Sequence, residues 1–189
     1  QVNDSVNNQI FNNTNFTLIY DPTAPVSNLI GPANGTIVTS SSVYFNATFT
    51  DNVNLSSYTL WIWNSTNHLI NFTTNLSTGG TSGGINNSLL LPYEGTFFWN
   101  YQVNDTVGNS AINATNFTLI YDPTAPLVTI NEPANSTLKS VSVLFNVTLN
   151  ENGNACNFTL SEGATNYTMT ESADGVTYNA TNSSITNGA

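Results

Sequence analysis

The sequence predicts an all-β fold, a tandem array of β-sandwiches of about 100 residues each. Three observations carry this. A long stretch recurs at a fixed displacement, apolar residues alternate with polar ones, and clusters of Gly, Asn, Asp and Pro separate the alternating runs.

The repeat sets the organisation. Residues 1–25, QVNDSVNNQIFNNTNFTLIYDPTAP, return as residues 102–126, QVNDTVGNSAINATNFTLIYDPTAP, displaced by 101 positions with no gap. Further on, Pro32-Ala33-Asn34-Gly35-Thr36 matches Pro133-Ala134-Asn135-Ser136-Thr137, and Val43-Tyr44-Phe45-Asn46 matches Val143-Leu144-Phe145-Asn146 after a one-residue slip. Inside a period, strands are expected at 27–30, 43–50, 57–63, 68–74, 85–91, 96–104 and 112–121. In the second, Phe45, Ala47 and Phe49 alternate with Asn46 and Thr48. In the sixth, Phe97, Trp99, Tyr101 and Val103 alternate with Phe98, Asn100 and Gln102. In the last, Phe117, Leu119 and Tyr121 alternate with Asn116, Thr118 and Ile120. The third places the indoles Trp61 and Trp63 on one face and Leu60 and Ile62 on the other, with an indole expected in the core, as in other sandwiches. The stretches 78–84 and 104–109 supply turn residues between strands.

Composition narrows the partners. Lys139 is the single basic residue against eleven acidic ones, a net charge of -10, and charged residues make up 6% of the chain. A chain so poor in Lys and Arg cannot neutralise phosphates, which excludes nucleic acid and anionic membrane surfaces as expected partners. Asn (33), Thr (28) and Ser (19) fill 80 of 189 positions instead. No apolar run approaches the roughly 18 residues that span a bilayer, so no membrane insertion is expected in this segment. Cys156 has no second cysteine to pair with and reads as a small core hydrophobe.

The run Gly95-Thr96-Phe97-Phe98-Trp99-Asn100-Tyr101-Gln102-Val103-Asn104-Asp105-Thr106-Val107-Gly108-Asn109, with a last strand and Asp122-Pro123-Thr124-Ala125-Pro126 after it, resembles the penultimate strand, turn and linker of bacterial and archaeal immunoglobulin-like repeats. Such repeats are strung together in surface adhesins, cell-surface glycoproteins and extracellular filaments. The resemblance implies an immunoglobulin-like sandwich and an extracellular, cell-surface setting. The paired cysteines of antibody domains are missing, and Phe97 stands where a tyrosine corner is expected.

Against that pattern the register is offset. Residues 1–25 correspond to the end of strand F, the turn and strand G of a module. Residues 26–126 form a complete module, and residues 127–189 supply strands A to E of another. An open module exposes an unpaired edge, which natural proteins avoid. The closing piece, with Phe11, Phe16, Leu18 and Tyr20 as its apolar residues, is therefore expected to complete a neighbour, either in a continuous array or between copies joined head to tail.

Asn-x-Ser/Thr sequons are the strongest chemical signal. They occur at Asn3, Asn12, Asn15, Asn34, Asn46, Asn54, Asn64, Asn71, Asn75, Asn86, Asn104, Asn113, Asn116, Asn135, Asn146, Asn157, Asn166, Asn179 and Asn182, which is 19 sites where random placement gives about 8. In a strand, Asn and Ser/Thr at i and i+2 share a face, so Asn is expected outward wherever the middle residue is apolar. Asn34 and Asn104 are expected on loops. Covalent N-glycans would supply the hydration that charges supply elsewhere.

Other chemistry is sparse. With His68 the only histidine, Cys156 the only cysteine and no Gly-x-Ser-x-Gly elbow, neither a catalytic triad nor a zinc site assembles, and no catalytic residue is assigned. No cofactor is expected. Asp21, Asp51, Asp105, Asp122 and Glu94 lie near module ends, where oxygen ligands could hold calcium and stiffen a joint. The spacing Asp-x-Asp-x-Asp is absent, so the sequence assigns no metal ligands. The reading is a structural, glycosylated element of a surface fibre or filament. An adhesin or carbohydrate-binding module is the alternative.

Overall fold

A computed structural model describes residues 1–11, 13–77, 79–135, 142–160 and 165–183. Among these residues every regular element is a β-strand, and the chain divides into two compact units, Gln1–Pro123 and Thr124–Ala189.

In the first unit, β1 (Val2–Asn3) and β2 (Gln9–Ile10) form a small hairpin of their own. A sandwich follows from β3 (Val26–Gly31), β4 (Thr36–Val38), β5 (Ser42–Thr50), β6 (Leu55–Asn64), β7 (Leu69–Leu76), β8 (Ser82–Leu90), β9 (Gly95–Asp105), β10 (Ser110–Ile112) and β11 (Phe117–Tyr121). One sheet has the order β3-β5-β8. The other runs β4-β11-β9-β6-β7, with β10 also paired to β9. All seven expected strands are present. Two details differ. Residues 36–38 add a short strand parallel to β11, and the expected strand 112–121 is broken at 113–116. The break has a use: the Asn100 side chain, fully buried although it points away from the core, donates to Asn113 O (2.8 Å) and Asn116 Oδ1 (2.7 Å). A buried carboxamide must find partners, and the bent segment supplies them.

Alternation decides the core. Val43, Phe45, Ala47 and Phe49 on β5 face Phe97, Trp99, Tyr101 and Val103 on β9, and the four on β9 are completely buried. Phe45 and Trp99 meet edge to face at 5.3 Å, while Phe49 stacks on Tyr58 at 4.2 Å. Each such ring contributes about 1.5–3 kcal/mol through burial. Tyr101 links the two sheets by donating its hydroxyl to Phe45 O at 3.0 Å. The expectation of a core indole among Trp61 and Trp63 is corrected: Leu60 and Ile62 are the buried pair, both indoles lie half-buried on the outer face, and Trp99 is the core indole. Gly83 permits the Tyr58 position, because a Cβ there would stand 2.2 Å from the phenol oxygen.

The second unit is described as β12 (Val128–Glu132), β13 (Val143–Leu149), β14 (Asn157–Thr159), β15 (Asn166–Thr168), β16 (Thr170–Glu171) and β17 (Thr177–Asn182). Its sheets are β12-β13-β17-β16 and the hairpin β14-β15. The core is smaller: Val147, Leu149, Met169 and Tyr178 are buried, with Phe145, Cys156, Phe158 and Ala180 packed against them. Cys156 is half-buried there, with its sulfur 3.6 Å from that of Met169.

Candidate functional site

Comparing the two units locates an open groove. In the first, β9 and β11 close one side of the sandwich, and Leu119 of β11 is fully buried. In the second, no strand among the described residues pairs with β14 on the side away from β15. A cavity of 610 Å³ opens there, and its apolar wall is Ile130, Pro133, Phe145, Val147, Phe158 and Met169. Ile130 remains 71% exposed on this wall.

The closing strand that would fit such a groove is present elsewhere in the chain, uncovered. Residues 14–25 are identical to residues 115–126. Phe117, Leu119 and Tyr121 pack into the first sandwich, and Phe117 meets Trp99 edge to face at 5.4 Å. Their counterparts Phe16, Leu18 and Tyr20 are 88%, 94% and 86% exposed, and Phe11 is 61% exposed.

The piece before this strand is already shaped. Val2 pairs with Ile10 and Asn3 with Gln9, the register of Val103 with Ala111 and Asn104 with Ser110. Asp4 accepts the N–H groups of Val6 and Asn8 at 2.9 Å and the Asn8 carboxamide at 2.6 Å. Asp105 accepts those of Val107, Gly108 and Asn109 at 2.9, 2.7 and 2.8 Å and the Asn109 carboxamide at 2.7 Å. Asn7 takes positive φ (66°) where Gly108 does (101°). Charge-assisted bonds of this kind hold both carboxyls below their ordinary value. For Asp105, burial pushes the other way and is outweighed by the Asn109 carboxamide and three N–H groups together. For Asp4, the Asn8 side chain is the main cause. The turn thus forms without the module it belongs to.

The sequons divide by exposure. Asn3, Asn15, Asn34, Asn86, Asn116, Asn135, Asn157 and Asn166 are exposed. Asn46, Asn54, Asn64, Asn71, Asn75, Asn104, Asn113, Asn146 and Asn179 are half-buried, and Asn12 lies outside the described residues. Asn182, whose sequon has the polar Ser183 in the middle, is buried at the end of β17. The strand-phase rule holds at Asn46, Asn116, Asn146 and Asn157, whose middle residues Ala47, Phe117, Val147 and Phe158 turn toward the cores. It is reversed at Asn71, where Phe72 is the outward residue at 59% exposure. On the same edge strand, the Asn75 amide nitrogen is buried. Asn34 sits on a turn as expected, whereas Asn104 belongs to β9 and donates to Ser57 Oγ at 2.9 Å.

Two other constellations emerge. On the outer face of β6 and β7, Trp61 stacks on Trp63 (6.1 Å, 6° between planes) and on Phe72 (5.6 Å), with the Trp61 N–H bonded to Gln102 Oε1 at 3.2 Å. Of the five carboxylates near module ends, Asp21, Asp51 and Asp105 come together, each offering an oxygen within 4.8 Å of the others; Asp122 and Glu94 are not in this group. Sequence reasoning named these three without joining them, because 30 and 54 positions separate them along the chain.

No family model matches the chain. No curated protein matches it either. Among solved structures it is similar to a crystal structure of a tetra-tandem repeat in the extending region of a large adhesion protein, at 20% identity and a TM-score of 0.41, over 86% of this chain and 42% of that one. The chain spans less than half the length of that structure.

Proposed function

We propose that the chain is a structural repeat of an extracellular, N-glycosylated surface fibre, joined head to tail by strand complementation. In this reading residues 11–20 of one repeat close the groove of another, either as separate copies or along a continuous array. One observation carries it: the same five residues, 16–20 and 117–121, lie uncovered in one place and close a sandwich in the other. An edge strand carrying Phe16, Leu18 and Tyr20 unpaired is an association surface by its own physics. A contact of this head-to-tail kind propagates instead of closing.

Sedimentation velocity of the purified chain over a wide concentration range tests the assembly. Growth into longer species, capped by excess synthetic peptide of residues 11–25, is the expected result. A monomer at every concentration that ignores the peptide overturns it. The glycan coat is tested separately, by an intact mass well above the 20.3 kDa of the polypeptide in protein taken from its natural source.

The outward aromatic row Trp61, Trp63 and Phe72 favours a second reading, a carbohydrate-binding or adhesive face, because stacked rings on a sheet surface offer apolar planes to sugar rings. Saturable glycan binding lost in Trp61→Ala and Trp63→Ala would move the assignment to an adhesin.

A further inference from the structure

We propose that Asp21, Asp51 and Asp105 form a calcium site that fastens residues 21–25 to the end of the complete module. The three arrive from separate places: Asp21 precedes β3 in the linking segment, Asp51 directly follows β5, and Asp105 is the last residue of β9. Their oxygens lie within 4.8 Å of one another; at that limit a central ion stands about 2.8 Å from each, and a closure of a few tenths of an ångström brings all three to calcium–oxygen bonds of about 2.4 Å.

Asp21 and Asp51 each commit one oxygen to the protein and hold the other back, while both oxygens of Asp105 accept hydrogen bonds from its own turn. Asp21 Oδ1 accepts Thr23 N–H and the Asn52 carboxamide, both at 3.0 Å. Asp51 Oδ2 accepts Val53 N–H at 2.9 Å and Asn54 N–H at 2.7 Å. These bonds fix the direction of both groups. Asp21 Oδ2 and Asp51 Oδ1 are then left buried with no hydrogen-bond partner. Asp21 is 8% exposed and Asp105 is 3% exposed. Buried carboxylate oxygens gathered within 4.8 Å call for a counter-charge, and no Lys or Arg exists in the first 135 residues to supply one. Protein hydrogen bonds have pre-aimed the ligands, and the missing partner is a cation.

Donor chemistry selects the cation. All three ligands are carboxylate oxygens. The only histidine, His68, lies beyond the opposite end of β6, and Cys156 belongs to the other unit, so nitrogen- and sulfur-loving metals have nothing to hold. Magnesium demands a compact octahedron at 2.0–2.1 Å and keeps its water, whereas calcium accepts irregular oxygen sets. The segment so fastened is otherwise held by the Asn109 carboxamide, bonded to Asp21 O at 2.9 Å and Thr23 O at 3.1 Å. The site lies within one unit and does not depend on the assembly proposed above.

Calcium chloride titrated calorimetrically into the full chain, stripped with EGTA, is expected to show saturable binding with a dissociation constant of about 10⁻⁴ to 10⁻³ M, the range of extracellular modules. Asp21→Asn and Asp51→Asn should each remove one equivalent of binding or weaken it at least about tenfold. Melting separates ligation from folding: in EGTA both variants should melt at or above the wild-type temperature, since a like charge has gone. Added calcium should raise only the wild type, and magnesium should raise it less. Absence of saturable binding up to about 10 mM overturns the proposal. So does calcium stabilisation that persists in both variants, or a loss of stability in EGTA that accounts for the whole effect. Sedimentation run alongside keeps this outcome separate from the fate of the fibre reading.

Discussion

Leu18→Ala and Leu119→Ala make the same change at the same place in two copies of one strand, and the structure assigns them opposite consequences. Leu119 is fully buried in the first sandwich, and removing a buried Leu side chain costs about 2–5 kcal/mol. At about 4–8 °C per kcal/mol for a domain of this size, the module should melt at least about 8 °C lower. Leu18 is 94% exposed, so its truncation should move the melting temperature of the complete module by less than experiment resolves. If Leu18 enters the groove of another copy as Leu119 enters its own sandwich, the same 2–5 kcal/mol appears in association instead. With tenfold per 1.4 kcal/mol, that is a weakening of roughly 30-fold to several thousand-fold. Differential scanning fluorimetry reads the first effect and sedimentation velocity the second. The reasoning fails if Leu18→Ala assembles as well as wild type, or if it melts low like Leu119→Ala.

Gly83→Ala should cost about 1–3 kcal/mol by overpacking, because the new Cβ would meet the Tyr58 hydroxyl at 2.2 Å and dislodge a ring held by Phe49 and by the 2.8 Å bond to Ser77 Oγ; an unchanged urea midpoint contradicts it. The Asp105 carboxyl is held below its ordinary 3.8 in the folded chain, so the stability it contributes is present above about pH 4 and is lost as pH falls through that depressed value. In EGTA the urea midpoint should therefore drop between pH 5 and pH 3, and drop less in Asp105→Asn. Glycopeptide mapping should find Asn86 and Asn157 occupied and Asn182 bare, since a buried amide cannot reach a transferase acting on the folded chain; full occupancy at Asn182 would show that transfer precedes folding.

Where a run alternates over many residues, the sequence determines the strand with little help. Phe97, Trp99, Tyr101 and Val103 specify β9 and its buried face because four core residues at period two fit no other element. Alternation names two faces without saying which is inside when both are apolar, and that is the failure at β6. Leu60 and Ile62 go inward because Trp99 and Tyr101 already fill the adjacent core, so the larger indoles are left to stack outside on Phe72. The three residues of β4 are too few to show a period, and their parallel pairing to β11 comes from a contact between Thr36 and Leu119, 83 positions apart. The three carboxylates of the proposed calcium site are visible in the sequence as acidic turn residues, each with an ordinary local explanation. Only the topology, which brings the linker, the end of β5 and the end of β9 to one end of the sandwich, makes them a set.

The duplicated strand shows most directly what local sequence can and cannot decide. Asp4 and Asp105 organise the same turn with three bonds in common, so the turn is written in five residues. Phe16-Thr17-Leu18-Ile19-Tyr20 and Phe117-Thr118-Leu119-Ile120-Tyr121 are identical, yet only the second is a strand. A strand needs a partner edge and an apolar surface to cover, and neither is encoded in its own five residues. The first copy therefore carries all the information for a β-strand except its neighbour. The second unit presents the reciprocal condition, an apolar wall with buried Val147 and Met169 at its base and Ile130 still in solvent. In the proposed assembly, copies placed head to tail would satisfy both deficits at once. A simple change of partner, with no change of sequence, would then turn an exposed segment into the closing strand of a sandwich.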